Sequence, residues 1–135
     1  MVERTTSGCI EKLETNEIFV FGSNTSGRHG KGAAKTAMKW GAVYGKGNGI
    51  QGRIYGIPTV NASITNALPL PKIEYYVNKF IEYARKFDGL KFLVTPIGTG
   101  LAGHSYKDIA PLFRESVSIS NIYLPKQFWR VLQHS

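Results

Sequence analysis

Lys91-Phe92-Leu93-Val94-Thr95-Pro96-Ile97-Gly98-Thr99-Gly100-Leu101-Ala102-Gly103 reads as a buried strand running into a glycine turn, with a helix start offered at Ser105. A short continuous apolar run bounded by turn residues suits a strand covered on both faces. Three glycines between Gly98 and Gly103 let the backbone turn sharply and bring its N–H groups against a ligand, since no Cβ obstructs the approach. The same device occurs earlier. Ile18-Phe19-Val20-Phe21 leads into Gly22-Ser23-Asn24-Thr25-Ser26-Gly27-Arg28-His29-Gly30-Lys31-Gly32, where Asn24 is expected to end the strand segment and an alanine-rich helix to follow. Strands alternating with helices predict an α/β fold with parallel pairing.

The rest of the chain fits that frame. Ala33, Ala34, Ala37, Met38 and Gly41 follow helical spacing, and the small residues allow close approach to a sheet. Residues 44–53 carry four glycines and read as a loop or tight hairpin. Ile54 to Val60 reads as a core strand with Pro58 at its end, followed by a polar loop from Asn61 to Asn66. Pro71 opens a helix whose apolar face is Ile73, Tyr76, Val77, Phe80, Ile81, Ala84 and Phe87, stopped by Asp88-Gly89. Ser105 and Asp108 have capping-box spacing, with a kink expected at Pro111. Asn121 to Pro125 gives a last strand, residues 126–135 a helical turn or helix, and residues 1–16 an edge strand or ordered arm.

At 135 residues the chain is read as one domain, 1–135, and its single cysteine, Cys9, excludes an intrachain disulfide. The N-terminus lacks a secretory signal and no apolar run reaches membrane-spanning length, so a soluble cytoplasmic protein with no membrane partner is expected. Seventeen Lys and Arg against nine Asp and Glu give a net charge of +8, and no acidic residue occurs between Ile18 and Ile73. That window holds Arg28, Lys31, Lys35, Lys39, Lys46, Arg53 and Lys72, which implies an anionic partner.

Gly98, Gly100 and Gly103 satisfy G-x-G-x-x-G, but no acidic residue follows at the distance where a dinucleotide fold reads the ribose. Gly30-Lys31-Gly32 lacks the order of a Walker A loop. Hydride transfer and P-loop hydrolysis are therefore not expected. Asn24 and His29 are the candidate catalytic groups, Asn24 to orient a ribose or a water and His29 as acid, base or phosphate contact; His104 lies just beyond the second turn. No histidine and carboxylate cluster has metal spacing, so neither metal nor cofactor is inferred.

Taken together, Phe21-Gly22-Ser23-Asn24 through Ala33-Ala34, and Pro96-Ile97-Gly98-Thr99-Gly100-Leu101-Ala102-Gly103, resemble the two phosphate-cradling segments of macrodomains, the ADP-ribose-binding α/β/α modules. The likeness spans about Ile18 to Pro125. It is closest to small phage and bacterial macro-like proteins, with which the chain shares Gly41-Ala42-Val43-Tyr44-Gly45, Tyr55-Gly56-Ile57-Pro58-Thr59 and Leu68-Pro69-Leu70.

The resemblance implies a three-layer α/β/α sandwich with a mixed, largely parallel sheet, and a nucleotide-diphosphate ligand such as ADP-ribose. By the same likeness the ligand would meet Gly22, Ser23, Asn24 and His29. Gly30, Gly32 and Ala33 would lie on one side of the diphosphate, and Gly98, Thr99, Gly100, Leu101, Ala102 and Gly103 on the other. Tyr123 or Phe128 would stack near adenine. Glycohydrolases with a similar second loop use a lysine and an aspartate where this chain has Val60 and Ala102, so the resemblance implies binding without that reaction. Two alternatives remain open. One is an ADP-ribosyl hydrolase acting on modified protein or nucleic acid by other groups; the second is nucleic-acid binding, or a phage interaction role, through residues 28–53 with Tyr44 and Tyr55 interleaved.

Overall fold

A computed structural model describes residues 4–8, 10–29, 32–100 and 102–133. Cys9, Gly30 and Leu101 lie outside the described residues, and so do the expectations placed on them. The chain builds strands β1 (Thr5–Thr6), β2 (Glu17–Asn24), β3 (Gly49–Gln51), β4 (Ile54–Val60), β5 (Lys91–Val94) and β6 (Ile122–Pro125). Its helices are α1 (Gly32–Ala37), α2 (Leu70–Lys86), α3 (Tyr106–Ile109) and α4 (Lys126–Gln133), with 3-10 segments at Met38–Trp40 and Ala110–Ser118.

The six strands form one sheet in the order β1-β6-β5-β2-β4-β3, parallel throughout except for β3, which pairs antiparallel with β4 as a hairpin. Alternation along β2 divides the core between its two faces. Ile18 and Val20 join Tyr55, Ile57, Phe92, Val94, Ile122 and Leu124 under α2, the Ala110–Ser118 segment and α4. Phe19 and Phe21 face the other way with Ile54, against Ala33, Ala34 and Ala37 of α1 and Trp40. The small residues of α1 let it lie close to the sheet. Helix α2 buries Ile73, Val77, Phe80, Ile81 and Ala84, while Phe87 lies past its end and is exposed. No described helix is long and apolar enough to cross a membrane.

Two local outcomes agree with the sequence expectation, at the end of β2 and at α3, and two differ, at Pro58 and at the end of β5. Strand β2 ends at Asn24 as expected, running on past Phe21 through Gly22 and Ser23 because β4 supplies pairing partners as far as Val60. Pro58 lies inside β4, past Gly56, the last residue paired with β3, and beside the register shift between Ser23 and Asn24. A proline is tolerated at such an irregularity because the ladder is already interrupted. Strand β5 stops at Val94, before Pro96. As the capping spacing and Pro111 lead one to expect, Ser105 Oγ accepts the Asp108 N–H at 3.2 Å and α3 lasts about one turn before the 3-10 segment from Ala110.

Arg4 ties the N-terminal edge to the C-terminal half. Its guanidinium donates to the carbonyls of Ile119 (2.7 Å), Ile122 (2.6 Å) and Val117 (2.6 Å) and lies 5.3 Å from the centre of the Trp129 ring. Trp129 Nε1 donates back to the Arg4 carbonyl at 2.8 Å.

Candidate functional site

The carboxyl ends of β5, β2 and β4 lie side by side, and the chain leaves β2 toward β4 but returns across it to β5. Open α/β sheets leave a crevice for ligands where the strand order reverses in this way. A cleft of about 610 Å³ occupies the place, lined by both glycine segments: Gly22, Ser23, Asn24, Arg28, Ala33 and Ala34 from the first, and Gly98, Gly100 and Ala102 from the second. Thr59, Val60 and Ile64 close the β4 end, Thr95, Pro96 and Ile97 the β5 end, and Tyr44 reaches in from the 43–47 loop.

The second glycine segment is shaped by two backbone bonds, Gly103 N–H to the Gly100 carbonyl (3.0 Å) and His104 N–H to the Gly98 carbonyl (2.9 Å). Gly98 has φ +74°, and a Cβ there would stand 2.9 Å from Cδ1 of the fully buried Ile109, so only glycine fits without a shift. Among the described residues, no acceptor is found for the N–H groups of Gly98, Gly100 or Ala102. Such a run of N–H donors is what an anion-binding concavity requires.

The first segment is held differently. Asn24 Oδ1 accepts from Ser26 Oγ (2.7 Å) and Arg28 N–H (2.9 Å), while Nδ2 donates to the Arg28 carbonyl (2.8 Å). The carboxamide, 6% exposed, is thus committed to fixing the Arg28 peptide, with one N–H of Nδ2 left over. Arg28 itself is exposed, and no partner for its guanidinium is found among the described residues. It is the only charged residue lining the cleft among those described. Sequence reasoning counted Arg28 in the basic window without placing it in the site.

His29 does not line the cleft. It is buried, with Nε2 shared between the carbonyls of Val43 and Lys46, both at 3.0 Å, which fixes Nε2 as the protonated nitrogen. Its ring stands edge-on to Phe21 (5.5 Å) and Tyr44 (6.4 Å). Val43 N–H also donates to Gln51 Oε1 at 2.7 Å, and Gly45 N–H to the Gly27 carbonyl at 2.9 Å. Gly27 (φ +72°) must be glycine because a Cβ would overlap the Lys46 backbone. His29 therefore anchors the loop that presents Tyr44, which is 65% exposed at the mouth of the cleft.

Thr99, Gly103 and His104 are near the cleft without lining it: Thr99 Oγ1 donates to the Pro96 carbonyl at 2.7 Å, and His104 Nε2 meets the Leu68 carbonyl at 3.1 Å. Gly32 opens α1. Two aromatic expectations fail on burial. Phe128 is fully buried against Phe113 (5.5 Å) and has no face to offer a base, and Tyr55, 5% exposed, packs on Phe80 (5.2 Å) rather than interleaving with nucleic acid. Tyr123 is half-buried and carries Lys91 Nζ at 4.3 Å from its ring centre. Val60 and Ala102 both face the cleft, so neither position offers a nucleophile or a proton carrier there. No cluster of potential metal ligands occurs among the described residues.

A second cavity of about 480 Å³ shares Ala33, Thr95 and Pro96 with the cleft and extends toward Thr6, Ser7, Ile10, Lys126 and Gln127. Comparison with protein-family models, with curated proteins and with solved structures returns no match, so any functional reading must rest on the site itself.

Proposed function

We propose that this chain is a macrodomain-like module that binds ADP-ribose or a related nucleotide diphosphate. One observation carries the reading: two glycine segments distant in sequence line one cleft at the strand ends, one offering backbone N–H groups and the other a guanidinium, for which no partners are found among the described residues. Fixed N–H donors and a planar cation are complementary to a diphosphate. The adjoining cavity gives a ligand longer than a diphosphate somewhere to continue. A largely parallel sheet with core residues on both faces agrees with the sandwich expected of the family.

Binding is favoured over hydrolysis. Among the described lining residues there is no carboxylate, lysine, histidine or cysteine, and the Asn24 carboxamide is already committed to Arg28. A general base must stand within hydrogen-bond reach of the water it activates. Thermal unfolding with ADP-ribose, ADP and NAD tests the reading. Ligand at a hundredfold over its Kd adds about 2.7 kcal/mol to stability and raises Tm by several degrees; an unmoved Tm with all three ends it.

A further inference from the structure

Ile64 is the one described non-glycine residue with positive φ, at +58°. A β-branched side chain in that region is strained, and such outliers persist only where their surroundings enforce them. The enforcement is visible on both sides of the residue. Ile64 N–H donates to the Asn61 carbonyl at 3.0 Å, and the next N–H, that of Thr65, donates to Asn61 Oδ1 at 2.9 Å. Asn61 Nδ2 reaches Thr65 Oγ1 at 3.1 Å, and the loop is closed by the Val60–Ala67 bridge and by Leu68 N–H on the Thr59 carbonyl at 2.8 Å. Asn61 does not line the cleft, whereas Ile64 does, with Val60 and Thr59 of β4.

We propose that Ile64 is a specificity-determining residue, held by Asn61 in a strained conformation so that its side chain walls the β4 end of the cleft. With Val60 it forms an apolar surface that takes the uncharged face of a sugar-sized group and keeps water from it. This rests on the reading of the cleft as a nucleotide-diphosphate site. The preference for a ligand with a sugar beyond its diphosphate over one that ends at the phosphates then depends on the wall.

The test compares Ile64→Gly, Ile64→Ala and Asn61→Ala with the unaltered protein, reading Tm without ligand and calorimetric affinity for ADP-ribose and for ADP. Glycine accepts positive φ and alanine does not, so Ile64→Gly melts above Ile64→Ala by about 3 °C or more, opposite to their order at an ordinary position. Both bind ADP-ribose roughly tenfold or more weakly than the unaltered chain, with ADP affected far less. Asn61→Ala loses ADP-ribose affinity although Ile64 is intact, and adding Ile64→Gly to it costs no further affinity. An Ile64→Ala variant that melts at or above Ile64→Gly overturns the strained wall, as does unchanged ADP-ribose affinity in the Ile64 variants or in Asn61→Ala. If the unaltered protein binds neither ligand, the nucleotide reading fails and this proposal with it; if it binds both and the variants match it, this proposal alone fails.

Discussion

The Asn24 carboxamide and the Arg28 peptide are bonded to each other twice, Nδ2 to the carbonyl at 2.8 Å and the N–H to Oδ1 at 2.9 Å. The turn between them is closed by this side chain in addition to the backbone bond from Gly27 N–H to the Asn24 carbonyl (3.1 Å), and it delivers a cation to the cleft. Arg28→Ala therefore lowers ADP-ribose affinity, by about tenfold to a hundredfold for loss of one charge-assisted contact. Asn24→Ala lowers it by a similar factor because Arg28 is released. The double variant is no worse than either single one, since both changes break one chain of contacts. Calorimetric titration of the three variants checks this; additive losses would show that Asn24 meets the ligand independently.

His29 acts through its two carbonyl partners. His29→Ala leaves the Val43 and Lys46 carbonyls without their donor and costs about 1–3 kcal/mol in urea denaturation. It frees the Tyr44 loop as well. His29→Gln, which keeps an N–H donor, recovers part of that stability. If His29→Ala unfolds at the same urea concentration as the unaltered protein, the anchoring role is wrong.

Arg4 spans carbonyls from Val117, Ile119 and Ile122 with one planar group. An ammonium has no such fork. Arg4→Lys is accordingly expected to lose nearly as much stability as Arg4→Ala, about 2 kcal/mol, with no loss of ligand affinity in the folded protein. Chemical denaturation of the two variants decides it.

The Tyr55 hydroxyl is pushed up from 10.0 to about 12, first by burial and then by the neighbouring Tyr83 and Glu82. Above pH 10 the unfolded chain gives up this proton while the folded chain keeps it. The folded state then binds more protons, so stability falls as pH rises. The contribution is whole below pH 10 and is lost between pH 10 and about 12. Tyr55→Phe, with no proton to lose, shows a shallower fall across that window; identical pH profiles would contradict the assignment.

Helix α2 and the four core strands were legible because apolar spacing reports burial directly, and Pro71 and Asp88-Gly89 punctuate the helix. Asn24 as the end of β2 was legible as well. Gly22 and Ser23 look like a turn by composition, and only pairing with β4 makes them strand. The site was half legible. Glycine segments announce themselves locally, and both line the cleft. Asn24 and His29 drew attention as chemistry-bearing residues, yet the Asn24 carboxamide and His29 Nε2 are engaged mainly by backbone groups that the sequence does not reveal. Arg28, Tyr44, Thr59 and Ile64 reach the cleft through the approach of separate loops, for which no local spacing gives a signal.

The most direct measurement is calorimetric titration of the unaltered protein with ADP-ribose at low and at elevated salt. Saturable binding at one site per chain is expected, weakening as salt screens Arg28 and lost most in Arg28→Ala. An absence of saturable heat at either salt, with the protein shown to be folded, would contradict the claim that the two glycine segments form a diphosphate site.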